Sequence, residues 1–317
     1  MANTREIKGR INSIQDTRKI TNAMYLISST KLRKVKKELD ATRPYFSTLQ
    51  KAIVRMARHS PEGESRYFIN HEREMPTSLH RGFLVITADK GLAGAYNHNV
   101  LKLAMQQMEG RTQPSLFVVG EYGHQFFKDR HIPIEQSFLY TAQNPTLDRA
   151  RRIALELLER YDRGELDSIY IIYTNVKNAV ANDTVMTRLL PLDREALASD
   201  EPETDLSLEM EEINASYEFN PSLDAVLDHL IPNYLVGYVY SALVDSFCAE
   251  QNARMMAMDA ANRNADEMLR DLNVQYNRVR QAMITQEITE VAAGAKAQRK
   301  KKLFEERLTI KSQPPNV

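Results

Sequence analysis

The sequence has little of several things, and each scarcity excludes a class of protein. Cys248 is the only cysteine among 317 residues, so an internal disulfide is impossible and a reducing compartment fits. Basic and acidic residues are equal at 42 each, so net charge gives no argument for binding nucleic acid or a membrane. No apolar run approaches the roughly 18 residues of a membrane span. We also expect no targeting peptide, because the basic, amphipathic start continues far beyond such a segment.

Motifs for catalysis and for cofactor binding are also missing. The turn at 89–97 follows a predicted strand and opens a predicted helix, which is where a phosphate could bind. It has neither the three glycines of a dinucleotide fingerprint nor the lysine end of a P-loop, so a tight turn is the better interpretation. The seven histidines include no pair three or four residues apart, and no carboxylates pair convincingly. We therefore predict no catalytic site, no cofactor and no metal.

Glycine and proline are scarce at both ends of the chain. Residues 238–293 are 56 consecutive positions without either, and within 10–60 only Pro44 interrupts. Ordinary globular helices run to about a dozen residues. At about 1.5 Å per residue, the C-terminal run alone would span roughly 80 Å, which is the geometry of a shaft.

The N-terminal segment carries an unbroken alternation of four and three residues from position 7 to position 56. Ten of its fifteen sites are apolar: Ile7, Ile11, Ile14, Leu32, Val35, Leu39, Phe46, Leu49, Ile53 and Met56. The alternation predicts a left-handed coiled coil. Between residues 18 and 28 the sites turn polar, while Ile20, Met24 and Ile27 carry an apolar stripe one position earlier. We expect the helix to present a different face there.

The C-terminal segment repeats the alternation, so the natural partner of each end is the other end. Its sites are Met258, Ala261, Ala265, Met268, Leu272, Val279 and Ala282, with Gln275 in the remaining position. An intramolecular pair of this kind is antiparallel. Since 222–296 is longer than 4–58, the C-terminal helix should protrude alone by about 20 residues, or roughly 30 Å. On that protrusion we assign Ile284, Ile288 and Val291 to core packing.

The middle of the chain is predicted to be a small Rossmann-like α/β domain. Short apolar runs predict strands, and amphipathic runs between them predict helices. The strands are 82–87, 116–120, 168–174, 184–192 and 215–219, and the helices are 99–108 and 147–161. Helix resumes near Pro221, with a kink or break at Pro232. The predicted domains are therefore 1–60, a coiled-coil helix; 61–220, the α/β domain; and 221–317, a second coiled-coil helix with a basic tail.

Charge is unevenly distributed. Residues 5–58 hold 14 basic and 4 acidic side chains, whereas 193–218 hold ten acidic and one basic. Either segment could be a solvated face or could meet a partner of opposite charge. The basic run at 31–37 has no interleaved aromatic residues for stacking on bases, so nucleic acid is not a predicted partner.

Four segments resemble the gamma subunit of F-type ATP synthase. Near the C-terminus the resemblance rests on Ile284, Thr285, Glu287, Glu290, Gly294 and Ala295. Residues 246–258, 6–11 with 17–24, and the turn at 87–94 add to it, and the resemblance covers residues 2–297. The chain continues for 20 residues after Ala297, where most members of that family stop.

The resemblance implies a non-catalytic rotor. The terminal helices would turn inside a ring of alpha and beta subunits, with the α/β domain at the foot beside epsilon and the membrane c-ring. Basic residues facing the beta subunits would be Lys31, Arg33 and Lys34. Further ring contacts would be Met24, Arg254, Arg280, Gln281, Thr285 and Glu287. The protein would be peripheral, on the cytoplasmic face of a bacterial membrane.

Two other interpretations stay open from the residues alone. One is a coiled-coil tether or scaffold with a globular hinge domain, which would associate with itself through its arms. The other is a nucleotide-binding enzyme with helical arms, which would bind nucleotide by itself.

Overall fold

A computed structural model describes residues 4–59, 67–68, 80–109, 114–176, 182–193 and 222–311. Its helices are α1 (Thr4–His59), α2 (Tyr96–Met108), α3 (Glu121–Asp129), α4 (Leu147–Asp162) and α5 (Leu223–Lys311). Its strands are β1 (Arg81–Ile86), β2 (Ser115–Val119), β3 (Gln136–Phe138), β4 (Ser168–Val176) and β5 (Asn182–Leu190). Contacts divide the chain into two compact units, one of residues 24–257 and one of α1 up to Ala23 with α5 from Met258 onward.

The unit of residues 24–257 is built on a five-stranded sheet in the order β3-β2-β1-β4-β5. All neighbouring strands are parallel except β5, which is antiparallel to β4. One face packs against α2 and α3, and the other packs against α4, α5 and α1. Because both faces are covered, β1 is apolar at nearly every position, as buried parallel strands are. The predicted α/β fold is confirmed, while the predicted strand at 215–219 and most of the acidic segment lie outside the described residues.

The first part of α5 is buried on nearly all sides. Seven consecutive residues, from Ser246 to Asn252, are each at most 9% exposed. A helix buried all round must have neighbours on several faces. Here α5 shares one core with Val35 and Ile53 of α1 and with Ile171 of β4.

Proline does not end either terminal helix. Pro44 lies inside α1 and Pro232 lies inside α5. Of the kink or break predicted at Pro232, the break does not occur, and packing against the core stabilises a helix that local sequence alone would interrupt.

A glycine sets the spacing of α1 and α5. A Cβ atom added to Gly237 would lie 2.0 Å from Cδ1 of Phe46. We expect Gly237→Val to lower the free energy of unfolding by about 1–3 kcal/mol, the usual cost of overpacking a core. Chemical denaturation would measure it, and Phe46→Ala in the same chain should recover part of the loss. As a control, Gly9→Ala has nothing within 4 Å of the new methyl group and should be stabilising. Equal effects at both glycines would contradict the close approach.

In the other unit, α1 and α5 form an antiparallel pair. Ile7, Ile11 and Leu269 are buried together, with Leu272 and Val279 packed against them. We call the faces of α1 and α5 that pack on each other the seam. On α5 the observed seam contains Leu269, which is 7% exposed, and not the predicted Met268, which is 49% exposed. The predicted and the observed alternation share residues 258, 265, 272 and 279, so the sequence pattern alone did not separate them.

The polar stretch of α1 stays on the seam. Arg18 pairs with Asp266 at 2.5 Å, and the Thr21 hydroxyl donates to the Asn262 side-chain oxygen at 2.5 Å. Ile20 is 62% exposed. The predicted change of face is therefore wrong, because cross-helix polar pairs take the place of apolar contacts. None of the helices in the described part of the chain has an apolar stretch that could cross a membrane.

Candidate functional site

The first candidate surface is the tip, by which we mean residues 280–302 of α5. α1 begins at Thr4, and its contacts with α5 reach Val279. Every residue from Arg280 to Lys302 is exposed. The predicted protrusion of the C-terminal helix is confirmed.

The tip carries an exposed apolar stripe. Ile284, Ile288 and Val291 are 46%, 63% and 73% exposed. Spacings of four and three residues place them on one side of the helix. Their predicted role in core packing is wrong for the described chain, since no part of it covers them. Contiguous apolar surface of this kind marks a site of interaction with another molecule.

Polar residues flank the stripe on both sides. Gln281 and Thr285 lie four residues apart on one flank, and Arg280 and Glu287 lie seven apart on the other. All four are exposed, and the Thr285 hydroxyl donates to the Gln281 carbonyl at 2.9 Å. An apolar centre with a polar rim is the usual anatomy of a protein interface. The structure thus brings all four predicted contact residues of this region to one exposed segment.

The second candidate surface is the basic segment of α1. Lys31, Arg33 and Lys34 are exposed, whereas Val35 beside them is buried on the seam. At about 100° per residue, Arg33 lies roughly 160° around the helix from Lys31. All three therefore lie within an arc of about 160° on the side of α1 that faces away from Val35, with Lys34 between the other two. A partner on that side of α1 can contact all three.

Met24 lies just before the basic segment and is half-buried. The next residues expose apolar surface, with Leu26 57% and Ile27 55% exposed. Ser28 is 2% exposed on the seam. Met24 is therefore accessible in part, beside apolar side chains that the described chain leaves uncovered.

Arg254 differs from the other predicted contact residues because it is buried. Its side chain is 9% exposed, and its Nη2 atom lies 2.6 Å from Oε1 of Glu250, whose side chain is 7% exposed. The same nitrogen donates to the carbonyl oxygens of Gly91 at 3.0 Å and Lys90 at 3.4 Å. Burial raises the pKa of the Glu250 carboxyl, and the charge and hydrogen bond of Arg254 oppose that shift. A ring contact does not fit this placement.

The turn after β1 is organised by Asp89. Its carboxylate accepts hydrogen bonds from the backbone N–H groups of Glu121 at 3.0 Å, Tyr140 at 3.1 Å and Gln143 at 3.0 Å. Gly120, at a φ of 96°, lets the backbone pass so close that an added Cβ would lie 2.3 Å from the Thr87 oxygen. The motif at 87–97 is a structural turn, as its sequence predicted.

The usual ligand crevice of this fold is occupied by α5. In open α/β sheets, ligands bind at the carboxyl ends of the strands where the strand order reverses, which here is between β1 and β4. Ala249 of α5 packs there against Ala88, Ala93 and Tyr96, and all four are buried. Burial raises the pKa of Tyr96 far above its usual range, since its hydroxyl is out of water. Within the described residues, no cluster of three metal-ligating side chains occurs either.

Sequence reasoning missed Glu250, which pairs with Arg254, and Ser246, which contacts β4. The Ser246 hydroxyl accepts from the backbone N–H of Thr174 at 3.4 Å. The sequence contained a signal for the ion pair, because a glutamate and an arginine four residues apart in an apolar helix can pair with each other when that helix is buried. Only the tertiary structure shows that the pair contacts the turn.

The chain therefore has an α/β domain, a coiled-coil pair from its two terminal helices, and an exposed tip. A family model described as ATP synthase matches residues 3–298. The ATP synthase gamma chain of Ruminiclostridium cellulolyticum is 41% identical over 297 residues, which cover 93% of this chain and 98% of that one. The sodium-ion-specific gamma chain of Acetobacterium woodii is 36% identical over 302 residues, covering 93% and 98%. The chain belongs to the ATP synthase gamma chain family, as its motifs predicted.

Solved structures agree with this fold. A chain of the Euglena gracilis mitochondrial ATP synthase, from a structure of its OSCP, F1 and c-ring parts, has a TM-score of 0.64 at 18% identity and covers 94% of this chain and 95% of its own. A chain from the central stalk and c-ring of the Tetrahymena thermophila enzyme has a TM-score of 0.55 at 22% identity, covering 76% and 99%. At these identities the likeness concerns the fold.

Proposed function

We propose that this chain is the central-stalk rotor subunit of an F-type ATP synthase. Its terminal helices turn inside the ring of alpha and beta subunits and couple ion flow through the membrane to ATP synthesis or hydrolysis in that ring. An asymmetric rotor presents a different face to each beta subunit, so one rotation takes three sites through three states.

The observation that supports this proposal best is the tip. Its apolar residues, Ile284, Ile288 and Val291, are exposed where α5 extends beyond the end of α1. Burying side chains of this size stabilises an interface by about 1.5–3 kcal/mol each. The polar residues on the two flanks, Arg280, Gln281, Thr285 and Glu287, are our proposed ring contacts. Small residues follow, with Ala292, Ala293 and Ala295 suited to turning in a close-fitting collar.

The basic segment supports the same proposal. Lys31, Arg33 and Lys34 are exposed on the side of α1 that faces away from the helix pair, which leaves them accessible to a partner chain. We propose that they meet acidic surfaces of the beta subunits, with Met24 as a neighbouring contact.

The α/β domain supports a role without catalysis. The crevice where such sheets bind ligands is filled by Ala249 and its neighbours on α5. We therefore propose that ATP chemistry belongs to the ring and that this chain needs no cofactor. Its α/β domain is at the foot of the stalk, beside epsilon and the c-ring, and the chain is peripheral on the cytoplasmic face of the membrane.

The test is a variant of the tip stripe, with Ile284, Ile288 and Val291 all changed to serine. We expect affinity for the alpha–beta ring to fall by at least about tenfold, because the apolar contact area is lost. Sedimentation of the reconstituted complex would measure it. Stability of the chain alone should stay within about 0.5 kcal/mol, since the three side chains are exposed.

The control is a truncation after Ala297, which keeps the stripe and removes the basic extension. We expect this variant to assemble and to pump ions in vesicles as the full chain does. Wild-type affinity in the serine variant would contradict the proposed role of the tip. If the full chain instead associated with itself and ignored alpha and beta subunits, it would be a tether.

A further inference from the structure

We propose that Arg254 and Glu250 form an internal joint that fastens α5 to the turn after β1. In this role Arg254 is a positioning residue, which holds the α/β domain and α5 in one fixed relation. The inference concerns contacts within residues 24–257 and does not depend on what surrounds the helices.

The joint begins with a buried ion pair on one face of α5. Glu250 and Arg254 are four residues apart, so their side chains lie one above the other on the helix. Both are less than a tenth exposed, and their atoms are 2.6 Å apart. Removing one partner of such a pair leaves an uncompensated buried charge, which is strongly unfavourable.

The pair also holds a second element. Arg254 Nη2 donates to the carbonyl oxygens of Gly91 and Lys90, which belong to the turn between β1 and α2. Backbone carbonyl oxygens accept these charge-assisted hydrogen bonds without any charge of their own to neutralise Arg254. Glu250 supplies that charge, so the two residues work as a unit.

The turn needs to be held because the backbone conformation of one of its residues, Leu92, is unfavourable. Leu92 has a φ of 62°, which is uncommon for a residue with a side chain, and Gly94 has a φ of 54°. Strain of this kind persists only when the surroundings determine it. Asp89 fixes the turn through N–H groups of neighbouring loops, and Arg254 fixes it through carbonyl groups from the side of α5.

Two further contacts make the joint stiff. Ala249 and Ala253 pack against the small side chains Ala88 and Ala93 of the turn. One turn earlier on α5, Ser246 accepts from the Thr174 N–H at the end of β4. α5 is therefore attached to the ends of both β1 and β4, the two central strands of the sheet.

The experiment compares local hydrogen exchange in the full chain for Arg254→Gln, Glu250→Gln and the double variant. We expect the amides of Ala88 and Tyr96, which are hydrogen-bonded to Asn97 and Ala93 at the two ends of the turn, to exchange about tenfold faster in each single variant. The double variant should be no faster than the worse single one, because the two residues act as a unit. Amides of 84–86 in β1 should be unchanged, which a general loss of stability would not permit.

Arg263→Gln is the matched control. Arg263 pairs with Asp259 at the same spacing on the same helix, but its side chain is 76% exposed. We expect no change in exchange at Ala88 and Tyr96. Arg254→Lys should fall between wild type and Arg254→Gln, because lysine keeps the charge but lacks the fork that reaches several acceptors. It also serves as the test variant if Arg254→Gln does not fold.

In the assembled complex, ions moved per ATP hydrolysed should fall for Arg254→Gln and for Glu250→Gln alike, and not for Arg263→Gln. Unchanged exchange at Ala88 and Tyr96 in Arg254→Gln would overturn the joint. Weaker ring binding in Arg254→Gln but not in Glu250→Gln would assign Arg254 to the ring contact instead. Neither result would bear on the tip, so the proposed function is tested separately.

Discussion

Replacing Asp89 by alanine is expected to lower the free energy of unfolding by about 4 kcal/mol. Its carboxylate accepts three backbone N–H groups from two other loops, and a hydrogen bond to a charged group contributes about 1.5–3 kcal/mol. The sum is reduced because Asp89 is only half-buried, so water can reach part of the site. Urea denaturation followed by circular dichroism would show a lower midpoint.

Two further variants test whether the charge of Asp89 and its three hydrogen bonds cause the loss of stability. Asp89→Asn keeps an oxygen acceptor without the charge and should lose about half as much, since neutral hydrogen bonds are about half as strong. Asp129→Ala is the control, because Asp129 accepts only from the exposed Gln125 side chain among the contacts described, and its loss should cost less than about 0.5 kcal/mol. Equal losses in the alanine variants of Asp89 and Asp129 would mean that the three N–H groups find other partners.

Reversing the charge of Lys31, Arg33 and Lys34 together, by changing each to glutamate, is expected to impair assembly with the alpha–beta ring most strongly. The change turns an attractive surface into a repulsive one, and association rates steered by charge fall by about 10–1,000-fold when steering is lost. The defect should shrink as salt is added, because the Debye length is about 10 Å at 0.1 M. Stopped-flow association at several salt concentrations would measure both effects.

A matched triple reversal tests whether position matters as well as charge. Lys300, Lys301 and Lys302 are also exposed, but they lie beyond the residues that the family model matches. Changing all three to glutamate should leave assembly intact. Because the three charges share one exposed face of α1, reversing Lys31 and Lys34 together, or Arg33 by itself, should each be partly defective. If the reversal at 31, 33 and 34 assembled and pumped normally, the basic segment would be a solvated surface.

Local patterns predicted much of the fold correctly. The apolar run at 82–87 became β1, and the amphipathic run at 147–161 became α4, each within one residue at either end. These elements are buried against several neighbours, so their periodicity is strong and their boundaries coincide with turns. The contact residues of the tip were likewise accessible to sequence reasoning, because they lie on one helix and their spacing alone sets their relative positions.

Errors occurred where a second element decided the outcome. The apolar stripe of Ile20, Met24 and Ile27 predicts that α1 presents a different face there, yet Thr21 hydrogen-bonds to Asn262 across the pair and Ile20 is exposed. The pattern predicts Met268 on the seam, but an alternation that contains Leu269 instead fits the same seven-residue repeat, and Leu269 is the buried residue. The hydrophobic pattern of one helix does not predict which of its polar residues will find a hydrogen-bond partner on the facing helix.

The sequence by itself determined that two long helices flank an α/β domain, that the C-terminal helix extends beyond the N-terminal one, and which family the chain belongs to. Those features depend on periodicity, on the absence of glycine and proline, and on short motifs, all of which are local. Only the tertiary structure decided that Arg254 turns inward to Glu250 and the carbonyl oxygens of the β1 turn. It also decided that α5 fills the crevice between β1 and β4. The physical reason is that burial depends on residues more than 150 positions apart in the chain, such as Gly91 and Arg254, whose proximity no local pattern encodes.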